Sequence, residues 1–189
     1  MPFQSTIASV QDVLESTFTQ VDEWFDQPAE LLKFQPTQGN WSIAEVLEHI
    51  SLTNHFLMLT LKKQAIVALR RARNGKSIAP VEPDLSRVDI IGQRGSFDWV
   101  RPEHMEPTGT ASSDVVRETL RTQLDECLEL LASIKHGEGT LVTITMSVNQ
   151  LGKIDLYQWL YFIGQHARRH LQQMDSIRIE YLTQSEKGS

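Results

Sequence analysis

Residues 155–181 read DLYQWLYFIGQHARRHLQQMDSIRIEY, and this stretch decides the fold. Leu156, Leu160, Ile163, Ala167, His170, Met174, Ile177 and Tyr181 follow one another in alternating steps of four and three. Such spacing lays a single apolar stripe along a helix, the pattern of a helix packed in a bundle. A helix start is expected at Asp155. His166 and His170 stand four residues apart, so their imidazoles lie on one face, one above the other. His170 falls on the buried stripe and His166 flanks it.

Three further stretches carry the same periodicity. Ile7, Val10, Leu14, Phe18, Val21 and Phe25 form a first helix that stops before Pro28. A second opens at Ser42, with Glu45 three residues on, which is a capping-box pattern. Its seam is Ile43, Leu47, Ile50, Leu57, Leu61 and Ala68, and it ends near Arg73-Asn74-Gly75. His49 lies beside that seam, on the stripe of Val46, Thr53 and Phe56. A third begins at Ser112 or Ser113. It carries Val116, Leu120, Leu124, Cys127, Leu131 and Ile134 and stops at His136-Gly137, where glycine ends a helix readily. The expected fold is all-α, a four-helix bundle in a single domain over residues 1–189.

Two connections stand out. Residues 75–110 hold Pro80, Pro83, Pro102 and Pro107 and show no strong periodicity. So long a connection is unusual in a compact domain, and such loops often carry function. Its Phe97, Trp99 and Met105 are expected to fold back as a lid over one end of the bundle. Residues 137–154 are shorter. Their Leu141-Val142-Thr143-Ile144-Thr145-Met146 is β-prone and predicts a short strand.

Composition narrows the function. Of 189 residues, 22% are charged and 40% apolar, as in an ordinary globular protein. The net charge of −6 and the lack of a basic block argue against nucleic acid. No apolar run reaches the ~20 residues that span a membrane. The N-terminus lacks the charged-then-apolar layout of a signal peptide. With a single cysteine, Cys127, no intramolecular disulfide forms, and the cytosol is the expected compartment. No nucleophile elbow, phosphate loop or dinucleotide fingerprint is present.

The histidines remain. A His-x-x-x-His pair by itself reads as core or surface histidines. An imidazole on an apolar seam, however, costs about 1–3 kcal/mol if it lacks a partner. With His49, the pair offers three nitrogen ligands to one divalent ion, which leaves a coordination position open for chemistry. Zinc, nickel, iron and copper suit three imidazoles. His55 is rotated away from His49 and is read as a surface or dimer-contact residue. His104 lies in the long loop, and His136 suits a helix C-terminus. Glu45 is read as a capping residue, and Glu48 as a residue beside a ligand. Asn54 falls on the apolar side of its helix and needs partners. Trp41 anchors the start of the second helix. Arg168 and Arg169 are expected on a solvated or dimer face, and Arg94 and Arg101 on the surface, with an anionic substrate as the alternative. Cys127 is read as a buried, inert thiol.

Taken as a set, Trp41-Ser42-Ile43-Ala44-Glu45, His49, the long loop and His166-x-x-x-His170 followed by Leu171-Gln172-Gln173-Met174 resemble the DinB-like superfamily of metalloenzymes. The resemblance covers the chain from the first helix to the fourth. It implies a four-helix bundle with a divalent metal on His49, His166 and His170, and homodimers are common among such proteins. Relatives include thiol S-transferases that use low-molecular-weight bacterial thiols. A metal-dependent thiol S-transferase acting on a small molecule is therefore the expected function. The alternatives are a metal-dependent hydrolase and a non-catalytic metal-binding or stress-related interaction protein. One departure is visible: many relatives carry a His-Pro-x-x-Gly-like stretch before the last helix, where this chain has Val148-Asn149-Gln150-Leu151-Gly152-Lys153.

Overall fold

The computed structural model describes residues 3–37, 41–97 and 102–187, and these are mostly helical. Four long helices dominate: α1 (Gln4–Glu23), α3 (Ile43–Arg73), α4 (Ser113–Ser133) and α5 (Leu156–Lys187), with a short α2 (Ala29–Lys33) between the first two. The helices α1 and α3 each pack against both α4 and α5. Between α4 and α5 lies a hairpin of β1 (Ile144–Met146) and β2 (Gly152–Ile154), antiparallel with Thr145 opposite Lys153. No described helix is long and apolar enough to cross a membrane.

Each long helix forms where its sequence periodicity predicts, and most of its stripe is buried. Ile43, Leu47, Ile50 and Leu61 of α3 and Leu156, Leu160, Ile163 and Met174 of α5 share one apolar core with Val10 and Leu14 of α1. Ser42 caps α3: its hydroxyl accepts from the Glu45 amide, and the Glu45 carboxylate accepts from the Ser42 amide at 2.8 Å. The helix α5 begins the same way. Asp155 accepts from the Gln158 amide at 3.0 Å, and Gln158 accepts from the Asp155 amide at 3.1 Å. Gly164 lets α1 approach closely, since a Cβ there would stand 2.6 Å from a Val13 methyl. On the opposite side Arg117 and Arg121 of α4 bind Asp22 of α1 at 2.7 and 2.8 Å, tying the two helices together at the surface.

Several boundaries differ from expectation. The helix α1 ends at Glu23 and tightens into a 3-10 turn, Trp24–Asp26, rather than running on to Phe25. The helix α4 ends at Ser133, short of His136-Gly137, because Ile134 leaves helical geometry to enter the core. The β-prone stretch narrows to Ile144–Met146 and gains a partner strand that the sequence did not announce. The long connection contains a 3-10 segment, Leu85–Gly92, that lies along α5 and buries Val88 and Ile91. Trp99 and Arg101 fall outside the described residues.

Candidate metal centre

Two helices build the site. The second turn of α3 presents His49, and the middle of α5 presents His166 and His170, which helical geometry stacks on one face. All three are buried. One ring nitrogen from each lies within 4.8 Å of the other two. The Nε2 atoms of His166 and His170 stand 3.1 Å apart. Ring centroids are 4.6 Å apart for that pair, 4.8 Å for His49 and His170, and 5.3 Å for His49 and His166.

Hydrogen bonds decide which nitrogen of His49 and of His170 faces inward. The Met105 carbonyl lies 2.7 Å from Nδ1 of His49. A carbonyl only accepts, so Nδ1 donates and Nε2 keeps its lone pair. The Gln173 side-chain oxygen lies 2.9 Å from Nδ1 of His170 and fixes that ring in the same tautomer. Aromatic neighbours hold the planes: Trp41 packs on His49 at 4.6 Å, and Phe162 lies parallel to His166 at 6.5 Å. Burial lowers the pKa of His166 well below the usual imidazole value, and the neighbouring His170 and His49 lower it further. Burial, then His49, pulls His170 down to about 3, against the opposing bond from Gln173. Both rings are neutral at ordinary pH.

Three converging imidazoles, two of them held neutral by burial, fit a divalent cation. Two nitrogens at ~2.1 Å from one ion lie about 3.0–3.4 Å apart in an octahedral or tetrahedral shell. The 3.1 Å between His166 and His170 falls in that range. Carbonyl or carboxylate-type oxygens behind ligand imidazoles are the usual means of orienting them, and Met105 and Gln173 stand in those places. A family model for the DinB superfamily matches residues 6–174 of the chain. The chain belongs to the DinB superfamily. Among relatives of this DinB protein is the uncharacterized protein YuaE of Bacillus subtilis (strain 168), 27% identical over 150 residues, which are 79% of this chain and 84% of that one. No solved structure matches significantly.

Other candidates lie elsewhere. His55 is exposed beside Phe56, His104 is exposed and meets Phe56 edge-on, and His136 is exposed after α4. Asn54 serves another helix: its amide donates to Gln123 of α4 at 3.2 Å. Glu45 is engaged in the cap of α3 and by Gln35 at 3.0 Å. Cys127 is buried, and burial pushes its thiol up to about 12, which suits an inert core residue. Arg168 is exposed as expected. Arg169 is half-buried rather than freely solvated: it donates to the Gln93 and Phe97 carbonyls, and its guanidinium lies 4.8 Å from the Phe97 ring centre. Those carbonyls turn toward α5 because the 3-10 segment lies along it. Arg94 is exposed, as expected, and there binds Ser176 at 2.6 Å and the Gln172 carbonyl.

Sequence reasoning missed three supporting groups. Trp41 does more than start a helix, since it also packs on His49. Gln173, one turn beyond His170, was legible from spacing alone. Met105 acts through its carbonyl, which no side-chain pattern reveals.

Proposed function

We propose that this DinB-superfamily protein is a four-helix-bundle metalloenzyme that holds one divalent ion on His49, His166 and His170 and transfers a low-molecular-weight thiol to a small electrophile. The observation that supports it most is the convergence of three buried ring nitrogens within 4.8 Å, two of them with their tautomers fixed from behind. The chemistry a divalent ion supplies in such a site is Lewis acidity, which lowers the pKa of a thiol or a water toward neutrality. The chain's own residues do the rest. Met105 and Gln173 keep the imidazole lone pairs pointing inward. Trp41 packs against the His49 ring, and Phe162 lies parallel to that of His166.

The state of the nearby carboxylates favours thiol transfer over hydrolysis. Hydrolysis of a poor leaving group calls for an acid or base beside the site. Glu45 is held in a helix cap, and both oxygens of Glu48 accept hydrogen bonds from Thr108 and Gly109. A thiolate needs no such partner once its pKa is lowered. The reading also includes a cytosolic location, which the single cysteine favours, and a homodimer. The test is a panel of low-molecular-weight thiols against a chromogenic electrophile, with metal-loaded and chelator-treated protein. Turnover that needs both a thiol and the metal is expected. Metal-dependent turnover with water alone would replace the reading with a hydrolase, and no turnover in any arm would leave a metal-binding protein without catalysis.

A further inference from the structure

We propose that Glu48 is a positioning residue for the metal site: it ties down the strap 105–109, and the strap's Met105 carbonyl in turn orients His49. The inference rests on the metal reading above and concerns what keeps one ligand in order. Glu48 sits directly before His49 on α3 and is 6% exposed. A buried carboxylate is costly unless it is hydrogen-bonded. Among the described residues, Glu48 takes three hydrogen bonds from one step of the strap. Thr108 gives Oε1 its amide at 3.0 Å and its hydroxyl at 2.7 Å, and Gly109 gives Oε2 its amide at 3.0 Å. Consecutive amides facing one anion form a small anion-binding concavity. Gly109 permits it, with φ at +70°, where other residues are strained, and a Cβ there would meet Glu45 Oε1 at 3.4 Å.

Three residues before Thr108, the same strap places its Met105 carbonyl on His49 Nδ1. Glu48 and His49 are thus neighbours on the helix that grip the strap at two nearby points. His104, just before it, adds an edge-on contact with Phe56. Glu103, His104 and Glu106 are exposed, and Met105 and Pro107 are only half-buried. Without the Glu48 grip the strap lifts, the Met105 carbonyl leaves, and His49 is free to present the wrong nitrogen. Coupling of this kind is reciprocal: an ion that needs the Nε2 lone pair of His49 also favours the closed strap.

The test uses the full-length, tag-free protein and zinc alone as the probe, in wild type, Glu48→Gln and Thr108→Val. Three quantities are read: zinc affinity by competition with a chelating dye, amide exchange of residues 103–110 with and without zinc, and the ring ¹⁵N shifts of His49. Glu48→Gln is expected to weaken zinc about 10–100-fold. It should also speed exchange at 105–109 and deplete the Nδ1–H form of His49, with the helical circular dichroism unchanged. Thr108→Val leaves α3 untouched and should move all three readouts the same way by less. In wild type, zinc should slow exchange at 105–109. Faster strap exchange with zinc affinity within about twofold of wild type in both variants would overturn the inference. If wild type takes up no zinc, the metal reading fails by itself. The His49 shifts of the metal-free protein then still decide: loss of the Nδ1–H form in Glu48→Gln supports positioning, and an unchanged form overturns it.

Discussion

His170 uses its two ring nitrogens differently. Nδ1 donates to Gln173, and Nε2 faces His166 across 3.1 Å. The first contact determines what the second can do, because a ring that donates at Nδ1 keeps its lone pair at Nε2. Gln173→Ala removes that control and leaves the ligand itself in place. Metal affinity is expected to fall about 10-fold, or ~1.4 kcal/mol. Thermal stability without metal should barely move, because Gln173 is only half-buried. A chelator-competition titration beside a melting curve checks both. Unchanged affinity would mean that the tautomer is set elsewhere. At this scale the sequence told much. The four-residue step from His166 to His170 was plain, and His49 could be placed on an inward stripe. The partner of His49 could not, because a backbone carbonyl 56 residues away carries no residue signature. The contacts of Arg169 are hidden from the sequence for a related reason: its partners are also carbonyls, of Gln93 and Phe97.

At the scale of elements, α5 is the helix on which the site depends, and its first turn carries a titratable cap. Burial raises the Asp155 carboxyl from its usual range to about 6. The folded state therefore favours the protonated acid. The stability this provides is complete below about pH 4 and is lost as pH rises through about 6. A shift of about two units sets an upper bound of ~3 kcal/mol. Asp155→Asn retains a capping oxygen and cannot ionise, so it should flatten the pH dependence of denaturant unfolding between pH 4 and 6. A variant with the wild-type slope in that window would contradict the assignment. Asp22 acts in the opposite direction and at lower pH: the Arg117 and Arg121 hydrogen bonds hold its carboxyl well below the usual range, so its contribution is lost only as pH falls below about 4. Long elements were legible because periodicity accumulates over many turns. Short ones were not. The helix α2 has five residues and β2 has three, too few to show a period. The 3-10 segment Leu85–Gly92 buries Val88 and Ile91 three apart, the repeat of that helix, inside a stretch whose prolines suggested a plain loop.

Across the whole molecule, the candidate site spans two helices that are far apart in sequence and share one core, α3 and α5. An ion held there bridges them and stabilises only the folded chain, by ~2.7 kcal/mol at a hundred times its dissociation constant. The strap 105–109 adds a third segment, anchored by Glu48 and His49. The site therefore depends on the packing of distant parts, and a single ligand change should empty it while the apolar core stays intact. His170 is 8% exposed at the edge of that core, so its removal to alanine leaves a small defect rather than a broken helix. The decisive measurement is elemental analysis of protein purified without a histidine tag, wild type beside His170→Ala, with helical content matched by circular dichroism. The wild type is predicted to carry close to one divalent ion per chain and the variant almost none. Equal metal content in the two would contradict the three-histidine site.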